Sequence, residues 1–199
     1  MSSKCSLLRC RASSPGEQSL PPDRAAILVL RDTTPRQAAR QVKAVVRPQR
    51  HPMADDFGLL LDEIRRVLPE SRLVPLSDVQ LAAIKNQYSD VPDHYLAFLR
   101  HVGHGALGDG YFAVYSGLCK PSDFFDKKTA EGLAGILFFG DDFAGWMLGF
   151  DTRGNWRMVG VDSGWAKPHP QDAQTVAEFV EELLARERQS QNGNQLGQD

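Results

Sequence analysis

From residue 57 onward, apolar and polar positions fall into a helical rhythm. Phe57, Leu60, Leu61, Ile64 and Leu68 recur at three- and four-residue steps, with Asp62, Glu63, Arg65 and Arg66 outside the stripe. This spacing predicts an amphipathic helix, ended by Pro69 and Pro75. Ser77-Asp-Val-Gln80 is a capping-box match, in which hydroxyl and amide satisfy the free N–H groups of a helix start, and predicts a second helix to about Tyr88. In the stretch Asp90 to Val102, Pro92 suits a first helical turn, and Tyr95, Phe98, Leu99 and Val102 form one apolar face. That third helix must stop at Gly103, and Gly103-His-Gly-Ala-Leu-Gly-Asp-Gly110 reads as a flexible loop.

The period then changes. Tyr111 to Tyr115 reads as a strand, and Pro121 to Leu133 as a loop with a short helix around Ser122 to Lys127. Ile136-Leu-Phe-Phe-Gly140, Gly145-Trp-Met-Leu-Gly-Phe150 and Trp156-Arg-Met-Val-Gly-Val161 are short apolar runs joined by Asp141-Asp-Phe-Ala144 and Asp151-Thr-Arg-Gly-Asn155. Short links of turn-forming residues predict an antiparallel meander. Val176, Phe179, Val180, Leu183 and Leu184 return to helical spacing and predict a closing helix. Helices first, strands next and one helix last give an α+β fold, a central, mainly antiparallel sheet wrapped by helices. A single domain is expected over residues 53–188, with the Gln/Asn/Gly-rich residues 189–199 disordered.

Composition separates residues 1–52 from this domain. Every Phe, Trp and Tyr lies after Met53. Residues 1–52 carry 10 Lys and Arg against 3 Asp and Glu, and residues 53–199 carry 13 against 22, so the chain's −2 divides into +7 and −9. A segment without aromatic residues lacks the largest units of apolar burial, and six prolines break any long helix in it. Its apolar runs, Ala25 to Leu30 and Ala38 to Val46, are too short for a bilayer span, and the first is too short for a signal-peptide core. Three explanations of this basic arm stand open, ranked by composition: a start placed upstream of Met53, a real disordered arm, and a targeting segment. Cys119 is the one cysteine after Met53, so the domain has no internal disulfide pair and a cytoplasmic location is expected.

Val91-Pro-Asp-His-Tyr-Leu-Ala-Phe-Leu99, Phe139-Gly-Asp-Asp142 with Leu148-Gly-Phe-Asp151, and Thr175-Val-Ala-Glu-Phe-Val-Glu-Glu-Leu183, in this order, resemble the SUKH superfamily over roughly residues 76–187. That superfamily is named for fungal Smi/Knr cell-wall regulators and for bacterial immunity proteins that neutralise toxins. One departure is Gly103-His-Gly105, where the family often has an Asn-Gly-Gly type loop. The resemblance implies a cytoplasmic, non-catalytic module that binds another protein, either as an immunity protein occluding a toxin or as a regulatory scaffold.

Candidate chemistry is sparse. Asp141, Asp142, Asp151 and Asp162 fall at strand ends, and clustered on one rim they would steer a basic toxin surface; the blander explanation is that Asp favours turns. Trp165, in the loop Asp162-Ser-Gly-Trp-Ala-Lys-Pro168, is the aromatic anchor candidate, whereas Trp146 and Trp156 lie in strands and read as core. His94 and His101 stand about 10 Å apart along one helix by its rise, too far to share a metal with His104. Asp151-Thr-Arg-Gly-Asn155 departs from a calcium loop at its third and fourth positions. Cys119 has no base placed beside it and reads as a small core residue. Phosphate loops, nucleophile elbows and paired-Cys zinc patterns do not occur. The expectation is therefore a protein partner, no cofactor, no metal and no membrane. An acidic domain is a poor binder of nucleic acid, and an enzyme keeps only low weight.

Overall fold

A computed structural model of the chain describes residues 54–195. The basic arm with its three explanations, Met53 and residues 196–199 lie outside that range. The elements run α1 (Ala54–Val67), β1 (Arg72–Val74), α2 (Asp78–Gln87), α3 (Asp93–His101), β2 (His104–Leu107), β3 (Phe112–Cys119), α4 (Lys127–Gly132), β4 (Ile136–Asp141), β5 (Trp146–Asp151), β6 (Arg157–Asp162), β7 (Pro168–Pro170) and α5 (Val176–Gln195). The seven strands form one open antiparallel sheet in chain order, so the fold is α+β.

The expected helices form for the expected reasons. Ser77 caps α2 and closes a capping box with Gln80, whose Oε1 accepts from the Ser77 N–H at 3.0 Å. Tyr95 of α3 packs on Phe139 and Phe150 of the sheet, and Phe98 and Leu99 of α3 with Phe57, Leu60 and Ile64 of α1 are buried in the same core. The sheet face toward these helices contributes Phe112, Val114, Phe139, Leu148, Phe150 and Met158. Its opposite face carries a second core of Tyr115, Phe138, Met147, Val159 and Val161, covered by Leu133 and the half-buried Phe124 and Phe125. Burial on both faces explains why β4 is a continuous apolar run instead of an alternating one.

Several elements differ from the pattern. Within the expected loop 103–110, His104–Leu107 is β2, and it pairs with β1, with Leu73 opposite Gly105. Gly105 has φ +130, and a side chain there would run into the carbonyl of Arg72, so glycine is what lets the two backbones meet. The short helix forms at Lys127–Gly132, preceded by a 3-10 turn at Pro121–Asp123. Its start is set by Asp126, whose Oδ1 accepts from the Lys128 N–H at 2.9 Å and the Thr129 N–H at 3.2 Å. β3 runs on to Cys119, and Pro168–Pro170, beginning at the last residue of the expected loop, forms the edge strand β7. α5 continues past Arg188 to Gln195. Arg188 Nη1 pairs with Glu63 at 2.7 Å, and Gln191 Nε2 donates to the Val67 carbonyl at 3.4 Å, tying that extension to α1. Among the described residues no helix is long and apolar enough to cross a membrane.

Candidate partner-binding rim

In a meander the turns alternate between two ends of the sheet. The β4–β5 and β6–β7 turns share one rim, where Met147 pairs with Asp141 and Trp146 with Asp162. The Ser163 N–H donates to the Gly145 carbonyl at 2.8 Å, so these two turns are bonded directly to each other. Asp141, Asp142, Asp162 and Trp165 therefore gather as expected. Asp151 does not: it pairs with Ile136 and Arg157 at the far end of β5, about 17 Å away by strand rise.

All four aspartates perform the same local task. Oδ1 of Asp141 accepts from the Phe143 N–H at 2.8 Å, and Oδ1 of Asp162 from the Gly164 N–H at 2.8 Å. Oδ1 of Asp142 accepts from the N–H groups of Ala144 and Trp146, both at 2.8 Å, and Oδ1 of Asp151 from the Arg153 N–H at 3.1 Å. These are Asx turns, and turn chemistry alone accounts for Asp at these positions. Charge separates the two ends. Asp151 is paired with Arg153 at 3.4 Å and Arg157 at 3.9 Å. Among the described residues, Asp141, Asp142 and Asp162 make no ion pair, although Asp141 Oδ2 also accepts from the Tyr115 hydroxyl.

Trp165 is 85% exposed. Phe143, at the tip of the neighbouring turn, is 62% exposed and has φ 59, the left-handed region that a bulky side chain rarely adopts. Phe143 is not among the contact residues expected from the sequence. Its signal was an aromatic residue in the middle of Asp-Asp-Phe-Ala-Gly, a turn otherwise built of polar and small residues. Trp146 and Trp156 are both half-buried against the main core. Trp146 lies across Gly160, where a side chain would collide with its indole, and stacks on His169 with centroids 6.1 Å apart.

The remaining candidates scatter. His94 sits edge-on to Phe150, His101 stacks on Phe57, and His104 Nδ1 lies 2.7 Å from the Val74 carbonyl oxygen. Among the described residues no group of His, Cys, Asp and Glu is placed to hold a metal ion. Cys119 is buried in the second core. A groove between α2 and α3 is spanned by the Lys85–Asp93 and Arg100–Asp78 pairs, each at 2.8 Å, so its charges are already matched.

Compared with models of protein families, with curated proteins and with solved structures, the chain matches none.

Proposed function

We propose that this chain is a non-catalytic protein-binding module of SUKH type, acting in the cytoplasm as an immunity protein that neutralises a bacterial toxin by covering it. The contact surface is the rim of Phe143 and Trp165 with Asp141, Asp142 and Asp162. The observation that carries this reading is the pair of exposed aromatic side chains on two mutually bonded turns, beside carboxylates without ion pairs. Folding gains little from either ring: Trp165 buries almost nothing, and Phe143 occupies a strained backbone position. Trp is a frequent binding anchor, and uncompensated rim charge speeds encounter with a basic partner.

The test uses the full chain as bait and then follows binding of the recovered partner by surface plasmon resonance. Trp165→Ala should speed dissociation by about thirtyfold or more, the equivalent of about 2 kcal/mol for a central anchor. Asp151→Asn, at the opposite end, should leave both rates near those of the wild type. If Trp165→Ala dissociates at the wild-type rate, this rim is not the contact surface.

A further inference from the structure

We infer that the rim recognises arginine side chains of the partner, carried on an extended segment that does not join the sheet. This deepens the reading above and rests on it. Strand addition is blocked at the neighbouring edge. The Gln171 N–H reaches the Met158 carbonyl across to β6, and His169, two residues earlier and opposite Gly160, shares that phase. Pro168 and Pro170 occupy the alternate phase, facing away from β6, and neither has an N–H. The outer edge of β7 thus offers no donor at these positions to an incoming strand. Recognition has to come from side chains.

The side chains present are flat rings with carboxylates close behind them in the chain. Trp165 stands in the turn that Asp162 opens, its N–H donating to the Asp162 carbonyl at 3.3 Å, and Phe143 follows Asp142 directly. Trp146 lies directly opposite Asp162 across β5 and β6. A guanidinium is a planar cation: its face stacks on an indole or phenyl ring while its N–H edge donates to a carboxylate. Each turn supplies both halves of that arrangement. The Oδ1 atoms are occupied by turn N–H groups, and the Oδ2 atoms of Asp142 and Asp162 have no recorded partner among the described residues. An ammonium is a more strongly hydrated point charge that cannot stack in this way, so the surface distinguishes arginine from lysine. Against the three carboxylates Asp141, Asp142 and Asp162, these two turns carry one Lys or Arg, Lys167.

The experiment is calorimetric titration of the full chain with three peptides of Gly and Ser spaced by arginine, by lysine or by citrulline. The arginine peptide should bind, the lysine peptide about tenfold more weakly or worse, and the citrulline peptide, flat but uncharged, not measurably. Trp165→Ala and Asp162→Asn should each weaken the arginine peptide about tenfold, and Asp151→Asn should not. Equal affinity for arginine and lysine, insensitivity to Trp165→Ala, or no binding of the arginine peptide each overturns the inference. The recovered partner separates the two failures. If it is lost with Trp165→Ala while the peptides show no arginine preference, the rim stands and arginine recognition falls. If it binds Trp165→Ala normally, the rim itself falls.

Discussion

At Phe143 the backbone sits at φ 59, where a side chain's Cβ crowds the following carbonyl, at a cost of about 1–2 kcal/mol. The position is held by two Asx turns in succession, from Asp141 and Asp142, whose hydrogen bonds fix the N–H groups on either side. Glycine relieves the strain but adds freedom to the unfolded chain, and alanine does neither. Phe143→Gly should therefore match or exceed the wild type in chemical denaturation, with Phe143→Ala about 1 kcal/mol below the glycine variant. Both should lose partner affinity. A glycine variant clearly less stable than the wild type would mean that the ring contributes to folding, which would remove the reason for assigning it to binding.

Among the elements, legibility followed the strength of the local signal. α2 and α3 could be read because a capping box or a proline at the N-cap coincides with an apolar face, and β4 to β6 because apolar runs alternate with Asp-rich turns. β1, β2 and β7 are three or four residues long, with Gly in β2 and Pro in β7, and what makes them strands is their neighbours across the sheet. The rim was half legible. The alternation of turns places Asp151 at the other end, a deduction already available from the meander, whereas the exposure and left-handed backbone of Phe143 appear only in three dimensions. α5 offers two tests. Phe179 is buried and packs on Phe112 with ring centroids 4.9 Å apart, so Phe179→Ala should cost about 3–4 kcal/mol in urea denaturation. A loss below about 1 kcal/mol would make the helix peripheral. On the same helix, partial burial raises the Glu181 carboxyl above its usual range, with Glu178 and Asp56 adding repulsion. The folded state then holds this proton to higher pH than the unfolded chain does. The group's penalty is absent below the ordinary carboxylate range and grows as pH rises through its raised folded value. Glu181→Gln should raise the melting temperature at neutral pH and leave it unchanged in acid below that range; an equal gain at both pH values would assign the effect to packing.

Across the whole domain, charge is compensated unevenly. On the helices Asp62, Glu63, Asp78, Asp93 and Glu182 each have an arginine or lysine partner, and at the far end of the sheet Asp151 has two arginines. The excess acid of residues 53–199 is thus felt most where carboxylates stand without ion pairs, and the turn rim is such a place. A field of this kind acts before contact, on the encounter, and ions screen it over about 10 Å at 0.1 M salt and about 3 Å at 1 M. The double variant Asp142→Asn, Asp162→Asn isolates it, because asparagine keeps an oxygen to accept the turn N–H groups while losing the charge. Its melting temperature should stay close to that of the wild type. Association with a basic partner should slow several-fold at low salt and this difference should vanish near 1 M salt, whereas the faster dissociation expected from losing the guanidinium contacts should persist there. Stopped-flow mixing at two ionic strengths reads both rates. If association at low salt is unchanged, the steering charge lies elsewhere, and the partner must approach the helical side of the sheet.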